Sequence, residues 1–410
     1  MAVTARHLRV LFDWPLAFSA LGLIAFGVIG ISSATGEHAA SSVRGLVYIQ
    51  LAWVALSLVG AIVAMWLPIR FWYGLAYLFY VAGVVALVAT LAVGTHSRGA
   101  ARWLAIGPIR LQTSEMAKIG LMLALARFLS NKKVSIGRPW DFMRGLGLAL
   151  VPVALVEAQP DLGTAMVYVA ITLPMIYWAG LNNLYLVLLV SPVVNALCAF
   201  GGWVPWLMFC LLFVGLLILV RPSIPWLVVL VAVNLAVGIG TPRIYEGLHP
   251  FQQQRIETFF SPEKDPLGTG YQIIQSKVAI GSGGAWGKGL HEGSQTKLSF
   301  LPETHTDFIF AVLGEELGFL GALIVLGLFL LLFWRVIRIA LMVGNQFASF
   351  VCVGVGCMIA FHAIVNIGMT IGLMPVTGIP LALVSYGGSA LITNTFALGL
   401  VLGFGLRRHE

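Results

Sequence analysis

The chain has 410 residues, of which 59% are hydrophobic and only 10% are charged. A mean hydropathy of +0.95 excludes a soluble globular domain, and continuous apolar runs exclude a transmembrane β-barrel, whose strands alternate apolar and polar residues. The net charge of +8 does not indicate a nucleic-acid-binding protein, because the basic residues lie in loops between apolar runs. The composition therefore predicts an all-α polytopic membrane protein.

Twelve apolar spans are predicted in chain order, and they make residues 1–410 a single integral membrane domain. Runs near 20 residues are long enough to cross a hydrocarbon layer of ~30 Å as helices. Their approximate bounds are 14–34, 47–67, 73–94, 113–130, 144–158, 162–180, 182–200, 203–220, 224–241, 308–334, 347–371 and 380–405.

The basic residues predict which side of the membrane each loop faces. An even number of spans places both termini on one side. If that side is the cytoplasm, the short outer loops hold few basic residues, namely Arg44, Arg98, Arg102 and Arg110. The inner loops and termini hold many more, namely Arg6, Arg9, Arg70, Lys132, Lys133, Arg138, Arg144, Arg221, Arg335, Arg338, Arg407 and Arg408. Inner loops are enriched in Lys and Arg, so cytoplasmic termini are expected.

The segment QTSEMAKIG (112–120) places Glu115 and Lys118 three residues apart at the start of a span, so the two side chains share a helix face. Two interpretations remain open. The pair either snorkels to water at the membrane surface or faces an interior cavity, where charges inside membranes are usually found. In the second case, loss of one partner would leave the other charge buried and unpaired.

The segment EAQPDLGTA (157–165) breaks the chain between two spans. Pro160 ends one helix, and Asp161 is a residue type that favours the N-cap of the next helix. Asp161 is interpreted either as a helix cap alone or also as a lining residue of an outer-face site that contains Glu115.

Residues 241–307 are predicted to form a large, non-helical extracytoplasmic loop, and long loops on a rigid scaffold usually carry function. The amphipathic run YQIIQSKVAI (271–280) is expected to lie flat at the membrane surface with its apolar side toward lipid. The run GSGGAWGKG (281–289) lacks the spacing and the Ser or Thr of a Walker A motif, so no nucleotide cofactor is expected. Its glycines favour a turn whose backbone approaches a substrate.

The segment PETHTDFIFAVLGEELG (302–318) carries more ionisable groups than the start of a helix requires. Thr304 followed by Asp307 resembles a capping box, so capping is one interpretation of Asp307. Capping does not account for the other ionisable side chains in the segment, which are Glu303, His305, Glu315 and Glu316. This surplus favours a site for a polar substrate with a lipid tail.

Five long segments together resemble the SEDS family of shape, elongation, division and sporulation proteins (RodA, FtsW and SpoVE), and most closely the RodA branch. They are QTSEMAK (112–118), QPDLGT (159–164), DPLGTGYQIIQSKVAIGSGGAWGKG (265–289), FLPETHTDFIFAVLGEELGFLG (300–321) and MPVTGIPLALVSYGGSA (374–390). The resemblance implies a peptidoglycan glycosyltransferase that polymerises lipid II, a disaccharide-pentapeptide on undecaprenyl pyrophosphate, for cell elongation and rod shape.

The resemblance also implies roles for single residues. It makes Asp307 the catalytic carboxylate and makes Glu115 and Lys118 a required pair. The supporting residues expected around the substrate are Asp161, Glu303, His305, Lys277 and Arg102. The departing pyrophosphate needs positive charge, for which the candidates are a divalent cation (Mg²⁺ or Mn²⁺), Lys277, Lys288, Lys297, Arg98 and Arg102. The sequence does not choose among them.

The segment that contains Pro375, Gly378, Gly387 and Gly388 is implied by the resemblance to contact a class B penicillin-binding protein, a transpeptidase. Small residues allow close helix approach, and packing within this chain is the alternative interpretation. The same resemblance implies other elongation-complex membrane proteins as partners, the bacterial cytoplasmic (inner) membrane as the location, and an extracytoplasmic active site.

The predicted span count departs from the family, in which ten spans are usual. Residues 181–241 read as three spans here, so residues 201–241 are interpreted as an inserted helical hairpin. The hairpin carries no charge within its apolar runs and is expected to be peripheral and to face lipid.

Two other functions remain open. Broken helices and charges within spans also fit a lipid II flippase, although the ionisable residues lie at the outer face and not at the midplane. A non-catalytic scaffold for cell-wall synthases would leave Asp307 dispensable.

Overall fold

The structure, a computed structural model, describes residues 11–35, 45–97, 100–106, 109–247, 253–254, 257–259, 261, 263, 268–294 and 304–408. Helices dominate these ranges, which confirms the all-α polytopic class. In chain order they are α1 (Trp14–Ala34), α2 (Leu46–Trp66), α3 (Ile69–Val93), α4 (Thr113–Leu129), α5 (Pro139–Glu157), α6 (Leu162–Trp178), α7 (Asn183–Phe200), α8 (Trp203–Val220), α9 (Ile224–Glu246), α10 (Thr269–Ser282), α11 (Ile309–Met342), α12 (Gln346–Thr370) and α13 (Gly388–Leu406).

Ten of the helices in the described ranges are long and apolar enough to cross a membrane. Two more, α4 and α6, coincide with predicted spans but have only 17 residues each. At 1.5 Å per residue they are ~26 Å long, slightly less than the hydrocarbon layer. The chain is therefore a multi-pass membrane protein, and the total of twelve crossings stays a prediction.

A short antiparallel sheet follows α3. Its strands are β1 (Thr95–Ser97), β2 (Ala100–Ile106) and β3 (Ile109–Leu111), in the order β1-β2-β3. In the second pairing, Leu104 lies opposite Leu111. The sequence did not predict this sheet, because two strands of three residues are too short to show a period of two.

Residues 241–307 contain helix, so the prediction of a non-helical loop is wrong there. Helix α9 continues to Glu246, and α10 covers the amphipathic run. Its apolar residues Ile273 and Ala279 are buried against Phe308 and Met369. Ile274 and Val278 of the same run are exposed, so the run packs only partly on the neighbouring helices, and contact of its exposed apolar residues with lipid stays a prediction.

Residues 1–179 and 272–410 form one compact unit. Its centre is built from α12 and α13, of which 72% and 78% of the spanning residues are buried, together with α4. Helix α13 lies along α2, α4 along α3, and α11 along α1 and α12. Because these central helices are shielded from lipid, they can carry polar side chains at a lower cost.

Residues 180–271 form a second compact unit that contains α7, α8 and α9. A buried polar network joins the three helices: Trp206 Nε1 donates to Asn195 Oδ1 at 3.0 Å, and Asn234 Nδ2 donates to Ser191 Oγ at 2.8 Å. The apolar pattern of residues 201–241 did not predict this network. That these residues are an inserted, lipid-facing hairpin stays a prediction.

Candidate functional site

Asp307 lies in a turn, residues 304–308, immediately before α11. The helix starts at Ile309 with Phe308 in the N-cap position, and no side chain caps it. The predicted capping box, with Thr304 as the cap, is therefore wrong. Asp307 precedes the helix instead of occupying its third position.

The 371–387 loop, between α12 and α13, holds this turn in place. Ser385 Oγ donates to the Thr306 carbonyl at 2.6 Å, and the Tyr386 N–H donates to the His305 carbonyl at 2.9 Å. Because the loop engages these carbonyls, the helical ladder begins only after the turn. The rings of His305 and Tyr386 also meet edge to face, with centroids 5.7 Å apart. Burial raises the pKa of the Tyr386 phenol, so the hydroxyl stays protonated.

Asn366, on α12, binds the turn and the loop at once. Its fully buried amide donates to the Asp307 carbonyl at 2.9 Å and to the Ile379 carbonyl at 2.8 Å. The Asp307 carboxylate lies against Gly378, where an added Cβ would be 3.6 Å from Asp307 Oδ2. Gly378 has φ of +76°, a left-handed conformation that favours glycine. Both the backbone and the carboxylate of Asp307 are thus placed by the 371–387 loop and α12.

Lys277, on α10, lies against the same loop. Its side chain is exposed, and a Cβ added at Gly372 would come within 2.5 Å of Lys277 Nζ. The neighbouring Ser276 Oγ donates to the Thr370 carbonyl at 2.8 Å and fixes α10 on the end of α12. The loop therefore contacts a carboxylate at Gly378 and an ammonium group at Gly372.

Glu115 and Lys118 form a buried ion pair on α4. Lys118 Nζ is 2.8 Å from Glu115 Oε1, and the side chains are 0% and 3% exposed. The predicted pairing is seen in the structure, but snorkelling to the surface is wrong, because both groups lie inside the protein. Lys118 Nζ also lies 3.3 Å from His362 Nε2 of α12.

His362 connects this pair to the 371–387 loop, since its Nδ1 lies 3.1 Å from the Pro380 carbonyl. Asn366 lies one turn further along α12 and binds the adjacent carbonyl, that of Ile379. Sequence reasoning missed both residues. A histidine and an asparagine four residues apart in an apolar span were the available signal, because such residues are rare in membrane helices and usually functional.

Asp161 is the N-cap of α6. Its Oδ1 accepts from the Thr164 N–H at 3.3 Å and its Oδ2 from Thr164 Oγ1 at 2.9 Å, so the capping interpretation is confirmed. Two residues later Gly163 packs against the 371–387 loop, where a Cβ would lie 2.9 Å from a loop carbonyl. This end of α6 thus borders the loop, and a role for Asp161 in lining the site stays a prediction.

The deeper carboxylates have partners within the protein. Glu315 Oε1 lies 2.7 Å from Lys288 Nζ and accepts from Ser294 N–H and Oγ, both at 2.9 Å. Glu316 accepts a hydrogen bond from Ser33 Oγ of α1. These carboxylates thus join α11 to its neighbours, and a role for them in a substrate site stays a prediction. Lys288 is paired with Glu315 in this structure, and its role toward pyrophosphate stays a prediction.

The glycine-rich run 281–289 packs its backbone on α11. The Phe319 N–H donates to the Gly284 carbonyl at 2.9 Å, and the Lys288 N–H donates to the Glu315 carbonyl at 3.1 Å. Helix α11 is kinked at this contact by Gly318, with φ of +68°. Gly283 and Gly287 therefore allow one backbone to approach another, and an approach of this turn to a substrate stays a prediction.

Several predicted site residues make contacts within this chain or lie outside the described residues. Gly388 packs on Trp53 of α2, where a Cβ would come within 2.5 Å of the indole ring, whereas the nearest side chain to a Cβ at Gly387 is 3.8 Å away. Pro375 is half-buried. The residues outside the described part are Glu303, Lys297 and Arg98; Arg102 lies on β2 with its side chain outside it.

Comparison with known proteins decides the family. A family model described as cell cycle protein, covering FtsW, RodA and SpoVE, matches residues 14–408. The chain belongs to the FtsW/RodA/SpoVE family. It is 37% identical over 402 residues to the peptidoglycan glycosyltransferase MrdB of Escherichia coli K12, covering 98% of this chain and 95% of that relative.

Two solved structures of this family resemble the chain along its whole length. A chain from a study of how a peptidoglycan synthase complex coordinates polymerisation and crosslinking superposes with a TM-score of 0.71 at 32% identity. The rod-shape-determining protein RodA of Thermus thermophilus gives a TM-score of 0.64 at 29% identity. Each comparison covers 98% of this chain and 99% of the other. The FtsW/RodA/SpoVE fold therefore extends over nearly all of the chain.

Proposed function

We propose that this protein is a peptidoglycan glycosyltransferase that polymerises lipid II into glycan strands for cell elongation. Family membership supports the proposal, as does the name of the E. coli relative, a peptidoglycan glycosyltransferase. The observation that carries it is the placement of Asp307 in a turn ahead of α11, fixed by Asn366 and the 371–387 loop. A helix cap would not need this support, whereas a catalytic carboxylate does.

The proposed reaction is a single inverting displacement. The 4-hydroxyl of one sugar attacks the anomeric carbon of the growing chain, the C–O bond to the pyrophosphate breaks, and Asp307 accepts the hydroxyl proton. Polyprenyl pyrophosphate leaves as an anion and needs no acid to protonate it. One carboxylate therefore suffices, unlike the paired carboxylates of inverting glycosidases. Lys277, which like Asp307 lies against the 371–387 loop, is the described cation proposed to neutralise the leaving group.

The residues present are compatible with a divalent cation at this site. The described part of the chain holds no group of three or more His, Cys, Asp or Glu side chains that could bind a metal ion. Mg²⁺ is, however, usually bound through one or two carboxylates together with substrate phosphates. Asp307 would supply the carboxylate, and the cation would stabilise the charge of the departing pyrophosphate.

The proposed location is the bacterial cytoplasmic membrane, with both termini inside and Asp307 outside. The distribution of basic residues supports this orientation. The proposed partner is a class B penicillin-binding protein within the elongation complex, because a similar chain comes from a peptidoglycan synthase complex that combines polymerisation with crosslinking. Pro375 and Gly387 remain candidates for that contact. Gly378 and Gly388 already contact groups of this chain, Asp307 and Trp53.

The test is polymerisation of purified lipid II by the purified protein, with and without its transpeptidase partner. Asp307→Asn keeps the size of the side chain but removes the base, and a loss of about 10³-fold is expected. The control is Asp141→Asn at the start of α5, where an amide oxygen can still accept from the Ser135 N–H. A wild-type rate for Asp307→Asn would contradict the catalytic role, and a protein that moves lipid II across a bilayer without joining it would favour the flippase.

A further inference from the structure

His362 is buried in α12, with 1% of its side chain exposed, between two groups of opposite hydrogen-bonding character. The Lys118 ammonium group, 3.3 Å from Nε2, can only donate, whereas the Pro380 carbonyl, 3.1 Å from Nδ1, can only accept. Nε2 must therefore be the bare nitrogen and Nδ1 must carry the proton. The imidazole is neutral, and both of its nitrogens are engaged in this one orientation.

The two bonds connect regions that lie far apart in the sequence. Lys118 is fixed by the buried carboxylate of Glu115, so the ammonium group cannot move without separating the ion pair. Pro380 belongs to the 371–387 loop, against which the Asp307 carboxylate lies. A rigid ion pair on α4 is thus joined through one imidazole to the loop that borders Asp307.

Asn366 makes a parallel connection. It lies four residues after His362, so the two side chains share one face of α12. They bind the adjacent carbonyls of Pro380 and Ile379, and Asn366 also binds the carbonyl of Asp307. Two side chains therefore fix the loop at neighbouring residues. Of the two, His362 is the one that connects the loop to the ion pair.

We infer that His362 is a positioning residue for Asp307, acting through the 371–387 loop, and that the Glu115–Lys118 pair acts on the reaction through it. The effect on catalysis rests on the proposed function, but the effect on the loop does not. The pair orients the imidazole and the imidazole orients the loop, so the ion pair would affect polymerisation without touching the reacting atoms.

The loop can be monitored directly by hydrogen–deuterium exchange. The N–H groups of Leu381, Ser385 and Tyr386 are all hydrogen-bonded, the last to the His305 carbonyl of the turn. In His362→Leu the side chain stays apolar and of similar size but makes neither bond. Exchange of these amides should become about tenfold faster, because a bond that holds the loop is lost. In the polymerisation assay kcat should fall about 100-fold while KM changes little, since the base is misplaced.

Two conservative variants test the bonds of Nδ1 and Nε2 separately. His362→Asn keeps an N–H donor near the position of Nδ1, so it should restore slow exchange in the loop and part of the activity. His362→Gln extends its amide toward Lys118 and lacks the Nδ1 donor, so it should restore neither slow exchange nor activity. The matched control is Thr370→Val: Thr370 is also buried in α12, and its hydroxyl donates only to the Ile367 carbonyl of its own helix.

The inference is overturned if the loop amides of His362→Leu exchange at the wild-type rate, or if Thr370→Val accelerates them equally. Rescue by Gln with failure of Asn would also overturn it. If the wild-type protein does not polymerise lipid II, the proposed function fails, but the exchange rates still decide whether His362 holds the loop.

Discussion

Replacement of Lys118 by methionine tests how strongly this fold depends on one buried ion pair. Lys118 is 0% exposed and its partner Glu115 is 3% exposed, so solvent does not screen them. Glu115 Oε1 accepts from Lys118, and Oε2 has no hydrogen-bond partner in the described part of the chain. Lys118→Met therefore leaves the Glu115 carboxylate buried inside the protein without its ammonium partner.

The magnitude follows from the separation. At 2.8 Å and an effective dielectric constant of ~20, the attraction between the two charges is about 6 kcal/mol. The desolvation of both groups opposes it, so the net value of the pair is much smaller. Loss of one partner does not recover that desolvation, and it costs about 3–5 kcal/mol. That is a large part of a typical unfolding free energy of about 5–15 kcal/mol.

The double variant Glu115→Gln/Lys118→Met should be more stable than the sum of the single changes predicts. It leaves neither charge unpaired, and the remaining defect is His362 Nε2 without its donor, which costs about 1 kcal/mol. A coupling of about 2–3 kcal/mol is expected. Thermal unfolding of the purified proteins in one detergent measures it, with exposed Lys132→Met as the control. Additive losses would refute a direct buried pair.

Three further outcomes are expected. Lys288→Met should lower the unfolding free energy by about 2 kcal/mol, because its buried carboxylate partner, Glu315, loses its ion pair with Lys288. Thermal unfolding beside Lys132→Met measures this, and an equal effect of both changes would contradict it. Gly388→Leu should destabilise the protein, because it drives a side chain into a tryptophan ring. Gly387→Leu should leave the protein folded and weaken co-purification with a class B penicillin-binding protein. Unchanged co-purification would locate the contact elsewhere. Deletion of residues 201–241 in register should retain some polymerase activity, whereas removal of a single span should abolish the activity. A cysteine in the loop before Asp307 measures the topology by labelling from outside the cell. Equal labelling in both proteins would refute the topology.

Much of the fold was predictable because lipid imposes a simple rule. Backbone groups inside a membrane must be bonded within their own helix, so long apolar runs become helices wherever they occur. The predicted spans coincide with helices for this reason, and Asp161 was recognised as a cap because capping depends only on neighbouring residues. The pairing of Glu115 with Lys118 was likewise local, since residues three apart share a helix face.

The burial of that pair and the support of Asp307 depended on contacts between distant segments. Nothing near Lys118 in the sequence indicates that His362 accepts from it, or that Asn366 joins the Asp307 carbonyl to the 371–387 loop. The same limit explains the wrong prediction of a capping box, because the loop that engages the turn's carbonyls lies about 80 residues later in the sequence.

Packing distinguishes ionisable residues that the sequence places together. By sequence, Glu315 and Glu316 belong with Asp307 as carboxylates near one membrane boundary. In the structure they bind Lys288 and Ser33, while Asp307 lies against Gly378. The sequence alone determines the long apolar helices and the membrane class, and its motifs indicate the family. The tertiary structure decides which charged groups neutralise one another inside the protein and which carboxylate lies against the 371–387 loop, because the energy of a charge depends on the groups that surround it in space.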